Sequence, residues 1–160
     1  MIKPVFLFAT SLAMSVPAFA QDKPNAKDVA TIQTCIKAKT GRSWAWEGCI
    51  GKVSEPCVKE HPKEVPSDVI ACYAREQAVW DDILNTSYQS LRKALDEDQQ
   101  VKLREMQRAW ITSRDKNCAF LYDYFQGSMA NPMIAACQSR ATGMQALYLR
   151  GFADDVADRK

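Results

Sequence analysis

The chain has 160 residues, of which 47% are hydrophobic, and a formal net charge of +2 from 21 basic and 19 acidic side chains. This length allows one domain with a substantial hydrophobic core. The near balance of charge argues against a nucleic acid as the partner, since nucleic-acid-binding domains usually carry a strongly basic surface.

The first twenty residues have the composition of a secretory signal peptide. One cation, Lys3, precedes an apolar run and a small-residue ending at Ala20. The apolar run is shorter than the roughly 20 residues that a membrane-spanning helix needs. We therefore expect cleavage near Ala20 and a periplasmic or secreted protein without a membrane span. The mature chain would carry a net charge of +1, because Lys3 is the leader's one charged residue.

Six cysteines follow the expected cleavage site, and an even number in an exported chain indicates three disulfides. The sequence alone leaves many pairings open. The ends of consecutive helices bring together cysteines that are near neighbours in sequence, so we expect these cysteines to pair. The expected pairs are Cys118 with Cys137, Cys57 with Cys72, and Cys35 with Cys49.

Residues 21–68 are interpreted as a disulfide-bonded helical extension. A polar lead-in over residues 21–28 is followed by a helix predicted at Val29–Lys39, which stops before a glycine. A second short helix is predicted at Ala45–Glu60. The tryptophan-containing stretch within residues 42–48 is left open as a contact surface, although tryptophans near cysteines more often pack on disulfides.

The first long helix is predicted from Val69. A charged linker with two prolines precedes it and ends at Ser67 or Asp68, either of which can cap a helix. Its apolar residues recur at steps of three, four and seven, the period of one helix face. These residues are Tyr73, Trp80, Leu84, Tyr88, Leu91 and Leu95.

Two further long helices are predicted after an acidic turn. The turn favours a new helix start, and the second helix is expected at Gln99–Tyr124. A third is expected with Asn131 as its cap and Pro132 at its first position. No strand-like alternation competes with these patterns. The sequence therefore predicts an all-α fold, an antiparallel bundle of three long helices over residues 69–160, with residues 21–160 forming one compact unit.

Polar residues interrupt the apolar stripe of the second helix. Trp110, Arg114 and Cys118 are spaced by four and share a face. Counting back through the turn places Arg114 opposite Glu76 and Trp80 on the first helix. The guanidinium is therefore expected to stack on the Trp80 ring and to pair with Glu76, which would offset the cost of burying a charge.

This polar seam has two interpretations. The favoured one is structural, because buried polar groups in helical bundles are normally paired across helices. The alternative is a ligand pocket in which Arg114 recognises an anion, with Glu76 and Trp80 as further binding candidates. Asp115 follows Arg114 directly and is expected to point away from it.

The residue types predict neither an enzyme nor a metal or cofactor site. The one histidine, His61, lies in the proline-containing linker, so no nucleophile has a base beside it. Oxidised cysteines supply no thiolate. Zinc sites usually use closely spaced cysteines, whereas Cys49 and Cys57 are eight residues apart.

Three stretches carry a family resemblance: "CYAREQAVWDDILNTSY", "MQRAWITSRDKNC" and "CQSRAT". Together they resemble the family of the lysozyme-inhibitor LprI N-terminal domain. The positions that match its pattern are Cys72, Glu76, Trp80, Leu84, Asn85, Tyr88, Gln107, Trp110, Arg114, Asp115, Cys118, Cys137 and Thr142. The family pattern usually has an arginine three residues after this threonine, whereas this chain has Gln145 at that position. The stretch Trp46 to Cys57 is similar to an N-terminal extension found in part of the family.

The resemblance implies an exported, non-enzymatic binding protein that inhibits lysozyme by covering its cleft. Vertebrate-type lysozymes are strongly basic, so an acidic surface complementary to the cleft would favour this function. The alternative is a structural or envelope-stress module that binds another envelope protein or a small anion. An open cavity beside Arg114 would favour the alternative.

Overall fold

The computed structural model describes residues 24–39, 43–61, 63 and 65–159, so the expected signal peptide lies outside the described residues. All regular secondary structure in these ranges is helical, which confirms the all-α fold. The α-helices are α1 (Ala26–Ala38), α2 (Ser54–Lys59), α3 (Pro66–Ala94), α4 (Glu97–Phe125) and α5 (Ala130–Ala157), with a short 3-10 helix at Ser43–Cys49. Within the described ranges, no helix has an apolar stretch long enough to cross a lipid bilayer.

Helix α1 begins earlier than predicted. The Asn25 side chain caps it by accepting a hydrogen bond from the Lys27 backbone N–H at 2.8 Å. Part of the expected polar lead-in is therefore helical, and Asp28 is only 3% exposed. Arg75 donates to both Asp28 carboxylate oxygens at 3.0 and 2.8 Å, and this ion pair ties α1 to α3.

The single helix predicted at Ala45–Glu60 is divided in two. The 3-10 helix ends at Cys49 and α2 starts at Ser54, with a turn between them. Gly51 in this turn has a φ of +95°, a left-handed conformation that an α-helix cannot contain and that glycine adopts without steric cost. The turn leaves several backbone N–H groups pointing away from either helix.

Helix α3 starts at Pro66, so the prediction that Ser67 or Asp68 caps it was wrong. The preceding residue, Val65, supplies no side-chain cap. Proline suits the first helical turn, because its fixed φ is already helical and its missing N–H would have no intrahelical partner there.

Helix α4 starts where the acidic turn predicted a new helix, at Glu97 rather than Gln99. The Asp96 carboxylate accepts from the Gln99 backbone N–H at 2.8 Å, and the Gln99 side chain accepts from the Asp96 N–H at 3.2 Å. This reciprocal pair is a capping box and satisfies two N–H groups at the helix start.

Helix α5 starts at Ala130, so Asn131 and Pro132 lie inside its first turn and the predicted Asn131 cap was wrong. The Ala130 N–H donates to the Gly127 carbonyl at 3.1 Å, which lets the chain enter the helix one residue earlier. Gly127 has a φ of +106° and supplies the left-handed step of the connection.

The core lies mainly between α3 and α5, which run in the same direction because α4 reverses the chain between them. Helix α4 packs mainly on α5 and touches α3 little. The core therefore draws few residues from α4. Its buried members include Ile32, Val79, Trp80, Ile83, Leu84, Leu91, Leu147 and Leu149.

The structure contains three disulfides, each joining elements adjacent in sequence. They connect Cys35 to Cys49, Cys57 to Cys72, and Cys118 to Cys137, with Cα–Cα distances of 5.7, 5.6 and 5.6 Å. The first two attach the N-terminal elements to one another and to α3, and the third joins α4 to α5. Because α4 has few buried side chains, its covalent link to α5 holds a weakly packed helix in position.

Candidate functional site

Glu76 is the centre of a buried hydrogen-bond network at the turn before α2. Its side chain is fully buried and accepts backbone N–H groups from Gly51 at 2.6 Å, Val53 at 2.9 Å and Ser54 at 2.7 Å. The Ser54 hydroxyl and the Trp80 indole N–H each donate to it at 2.9 Å. The carboxylate therefore has five donors and no free acceptor direction for a ligand.

This network explains why the ion pair predicted between Glu76 and Arg114 does not form. The turn that Gly51 creates gathers N–H groups that α2 itself cannot satisfy, and the carboxylate fills that position. Its negative charge also lies at the N-terminus of α2, where the helix dipole favours an anion. The spacing of the three long helices carries no information on the chain that returns over α3, and that chain supplies the donors to Glu76.

Trp80 is equally inaccessible to Arg114. Its ring is fully buried, and its N–H is used by Glu76. Gly143 of α5 lies against it: a Cβ there would be 3.2 Å from the Trp80 Nε1 and 3.1 Å from the Ile50 side chain. The absence of a side chain at this glycine thus permits the close approach of α5 to Trp80.

Arg114 is instead bound within its own end of α4 and to α5. Its guanidinium lies 4.9 Å from the Trp110 ring centroid, one turn back along the same helix. It pairs with Asp115 at 2.9 Å, so the expectation that this carboxylate points away was wrong, because the long arginine side chain folds back over the helix surface. It also donates to the fully buried Thr142 hydroxyl at 3.3 Å.

An amide pair joins α4 to α5 further along the same seam. The Gln145 side chain donates to the Gln107 Oε1 at 2.9 Å, and Gln107 is only 9% exposed. Position 145 is where the resemblance expects an arginine. In this chain the contact between the two helices at that level is therefore between neutral groups.

A groove opens between α3 and α4, where the two helices diverge. It has a volume of about 610 Å³, and Arg114 lies at one end of it. The α3 wall includes Gln77, Asp81, Asn85 and Tyr88. The α4 wall carries Arg104 and Arg108 in addition to Trp110 and Arg114. The lining thus combines three cations with one carboxylate, and it is the open cavity that would favour anion binding.

The one carboxylate of the groove, Asp81, is partly removed from solvent. Burial raises the pKa of Asp81, and the nearby Arg114 charge and a hydrogen bond from Gln77 offset only part of that increase. Ionised Asp81 is therefore less well solvated in the folded protein than in the unfolded chain.

We expect Asp81→Asn to raise the free energy of unfolding at pH 7. Folding raises the pKa of this carboxyl, so the folded state binds more protons than the unfolded chain. The ionised carboxylate therefore lowers the free energy of unfolding. This effect is absent below the unfolded pKa and reaches its full size once the pH has risen through the folded pKa. Urea unfolding at pH 7 and pH 4, followed by circular dichroism, measures this. The gain should be larger at pH 7, and the exposed neighbour Asp82→Asn should change stability by less than about 0.5 kcal/mol. A variant less stable than the parent at pH 7 would contradict the expectation.

The described residues bring together one group with metal-ligand chemistry. The ligand atoms of Cys57, His61 and Cys72 lie within 4.8 Å of one another. Both sulfurs belong to one disulfide, so neither is available as a thiolate, the form in which cysteine binds zinc. With the disulfide intact, this group is a covalent joint between α2 and α3.

A family model described as "Lysozyme inhibitor LprI" matches residues 57–149, more than half of the chain. The chain belongs to the LprI family. This confirms the resemblance read from the sequence motifs. Comparisons with curated proteins and with solved structures gave no match. The LprI family is one of inhibitors by name, and membership together with the disulfides fits an extracellular protein.

The LprI-type positions of this chain mostly join one helix to another element. Glu76 and Trp80 fix the turn before α2, Arg114 reaches Thr142, and Gln107 reaches α5. The motif therefore specifies the scaffold. Motif spacing alone does not single out the groove cations, although Arg104 and Arg108 are spaced by four on α4.

Proposed function

We propose that this LprI protein is a non-enzymatic binding protein of the cell envelope that inhibits lysozyme. The observation that carries the proposal is the family match over residues 57–149. Disulfides that join successive elements support it, because a surface fixed before binding loses less conformational entropy when a partner docks.

The proposed contact surface is the end of α4 and the connection to α5. Four aromatic side chains there are strongly exposed: Phe120 at 61%, Tyr122 at 54%, Tyr124 at 68% and Phe125 at 44%. Met129 follows at 56%. Clustered exposed aromatic side chains are typical of protein contacts, in which a few such residues supply most of the binding energy. The nearby disulfide at Cys118 fixes the position of this surface.

The test is lysis of a bacterial cell-wall suspension by lysozyme, with the oxidised protein added over a concentration series. We expect dose-dependent inhibition by the oxidised protein and none by a fully reduced sample, which loses the folded surface. Lysis that is unaffected by correctly folded, oxidised protein, together with no direct binding to lysozyme, would overturn the proposal.

Paired variants test the contact surface itself. Replacing both Phe120 and Tyr124 by Ser should raise the concentration for half inhibition at least about tenfold, because hot-spot side chains contribute more than 1 kcal/mol each. The matched control is Tyr148→Ser, which removes a 49%-exposed ring from α5. It should leave inhibition unchanged. Equal effects of the variant and the control would place the contact elsewhere.

The second candidate function is a structural or envelope-stress module that binds another envelope protein or a small anion. One observation favours it, namely the groove beside Arg114 with its excess of positive charge. A basic lysozyme would be repelled by that charge, so the groove and the proposed lysozyme contact are separate features of the surface.

A further inference from the structure

We propose that the groove between α3 and α4 binds a small ligand with two or more anionic groups, carboxylates or phosphates, through Arg104, Arg108 and Arg114. The proposal deepens the second candidate function by naming a class of ligand. It does not depend on lysozyme inhibition. Its basis is the placement of three guanidinium groups along one wall of a groove of about 610 Å³.

The pair Arg104 and Arg108 is not explained by folding. Both side chains are exposed, and no ion pair among the described residues includes either of them. They are separated by one helical turn, a spacing at which like charges repel and lower helix stability. Glu105, the acidic residue between them, is also exposed and makes no ion pair within the described part of the chain. The pair therefore costs stability, and a bound anion would remove that cost.

The spacing of the three cations indicates a ligand with more than one negative group. At a rise of about 1.5 Å per residue, Arg104 and Arg108 are about 6 Å apart along the helix axis, and Arg114 is about 9 Å further on. One carboxylate reaches a single guanidinium fork, whereas two linked anionic groups can engage two. The groove volume is also in the range of about 300 to 1,000 Å³ that is usual for small-molecule sites.

The rest of the lining decides which cations contribute most. Arg114 is already paired with Asp115 and stacked on Trp110, so much of its charge is used within the protein. Arg104 and Arg108 are therefore the principal anchors. Across the groove, Asp81 is the one carboxylate of the lining, and its charge opposes an incoming anion. Gln77 and Asn85 add neutral amide donors on the same wall.

The test is calorimetric titration of the oxidised protein at low salt with three probes. Tricarballylate carries three carboxylates, pyrophosphate carries linked phosphates, and acetate is the single-charge control. We expect saturable binding of tricarballylate or pyrophosphate, with acetate at least about tenfold weaker. Tricarballylate alone would assign carboxylates and pyrophosphate alone phosphates, and either result supports the site. Binding should weaken as salt is added, because the contacts are between charges.

Variants with opposite expected effects distinguish a specific anion site in the groove from general electrostatic attraction to the protein's net charge. Replacing both Arg104 and Arg108 by Gln should weaken binding at least about tenfold without loss of stability, since it removes a like-charge pair. Asp81→Asn should strengthen binding severalfold. Replacing both Lys37 and Arg159 by Gln, which removes the same number of charges from exposed positions outside the groove lining, is the matched control and should change nothing.

Two results would overturn the proposal. One is the absence of saturable binding of both multivalent probes by the folded protein. The other is an equal loss in the Arg104/Arg108 variant and in the Lys37/Arg159 control, which would show attraction to net charge alone. Lysozyme inhibition is measured on the same samples. Since neither Arg104 nor Arg108 belongs to the proposed lysozyme contact, the double variant should inhibit normally, and the two proposals can fail separately.

Discussion

Glu76→Ala is expected to lower the free energy of unfolding by at least about 4 kcal/mol. The substitution removes the acceptor for three backbone N–H groups, one hydroxyl and one indole N–H, all of them buried. A buried donor left without a partner costs about 1 to 3 kcal/mol, and relaxation of the turn with entry of water will recover part of the sum. The cavity left by the side chain adds to the loss.

The measurement is urea unfolding at pH 7, followed by circular dichroism. Glu76→Gln is the informative companion, because its amide keeps one acceptor oxygen but turns an NH₂ group toward N–H donors. It should also destabilise, by less than the alanine variant. The exposed carboxylate of Glu105 provides a control, whose replacement by Ala should change stability by less than about 0.5 kcal/mol. A loss below about 1 kcal/mol in Glu76→Ala would show that the turn finds other partners for its N–H groups.

Reduction of the three disulfides is expected to unfold most of the molecule at 37 °C. Their sequence separations are 14, 15 and 19 residues. Loops of this size correspond to about 2 to 4 kcal/mol per bridge, while a whole domain has only about 5 to 15 kcal/mol of stability. The loss of all three bridges is therefore comparable with the total.

Thermal unfolding with and without a phosphine reductant, with thiol titration to establish full reduction, measures this effect. Peptide mapping without reduction tests the pairing directly. Replacing both Cys118 and Cys137 by Ala isolates the bridge between α4 and α5, and hydrogen exchange should then rise mainly in α4, which has few buried contacts. A fully reduced protein with an unchanged melting temperature would contradict the expectation.

The contacts of Arg114 could be predicted only in part from the sequence. The four-residue spacing of Trp110 and Arg114 correctly placed them on one face, and the structure stacks one on the other. Which hydrogen-bond acceptors Arg114 meets could not be read from spacing. A flexible side chain with several donors selects whichever acceptors the packed helices present, and here these are Asp115 and Thr142.

The sequence by itself determined the helical class, the three long helices and the LprI family, because helix periodicity, capping and motif spacing are local properties of the chain. Only the tertiary structure decided what the polar residues bind. Glu76 meets a turn more than twenty residues earlier in the chain, and α4 diverges from α3 to leave the groove. Both outcomes depend on how the helices and the returning N-terminal chain share the buried surface, since a buried charge must find its donors wherever packing places them.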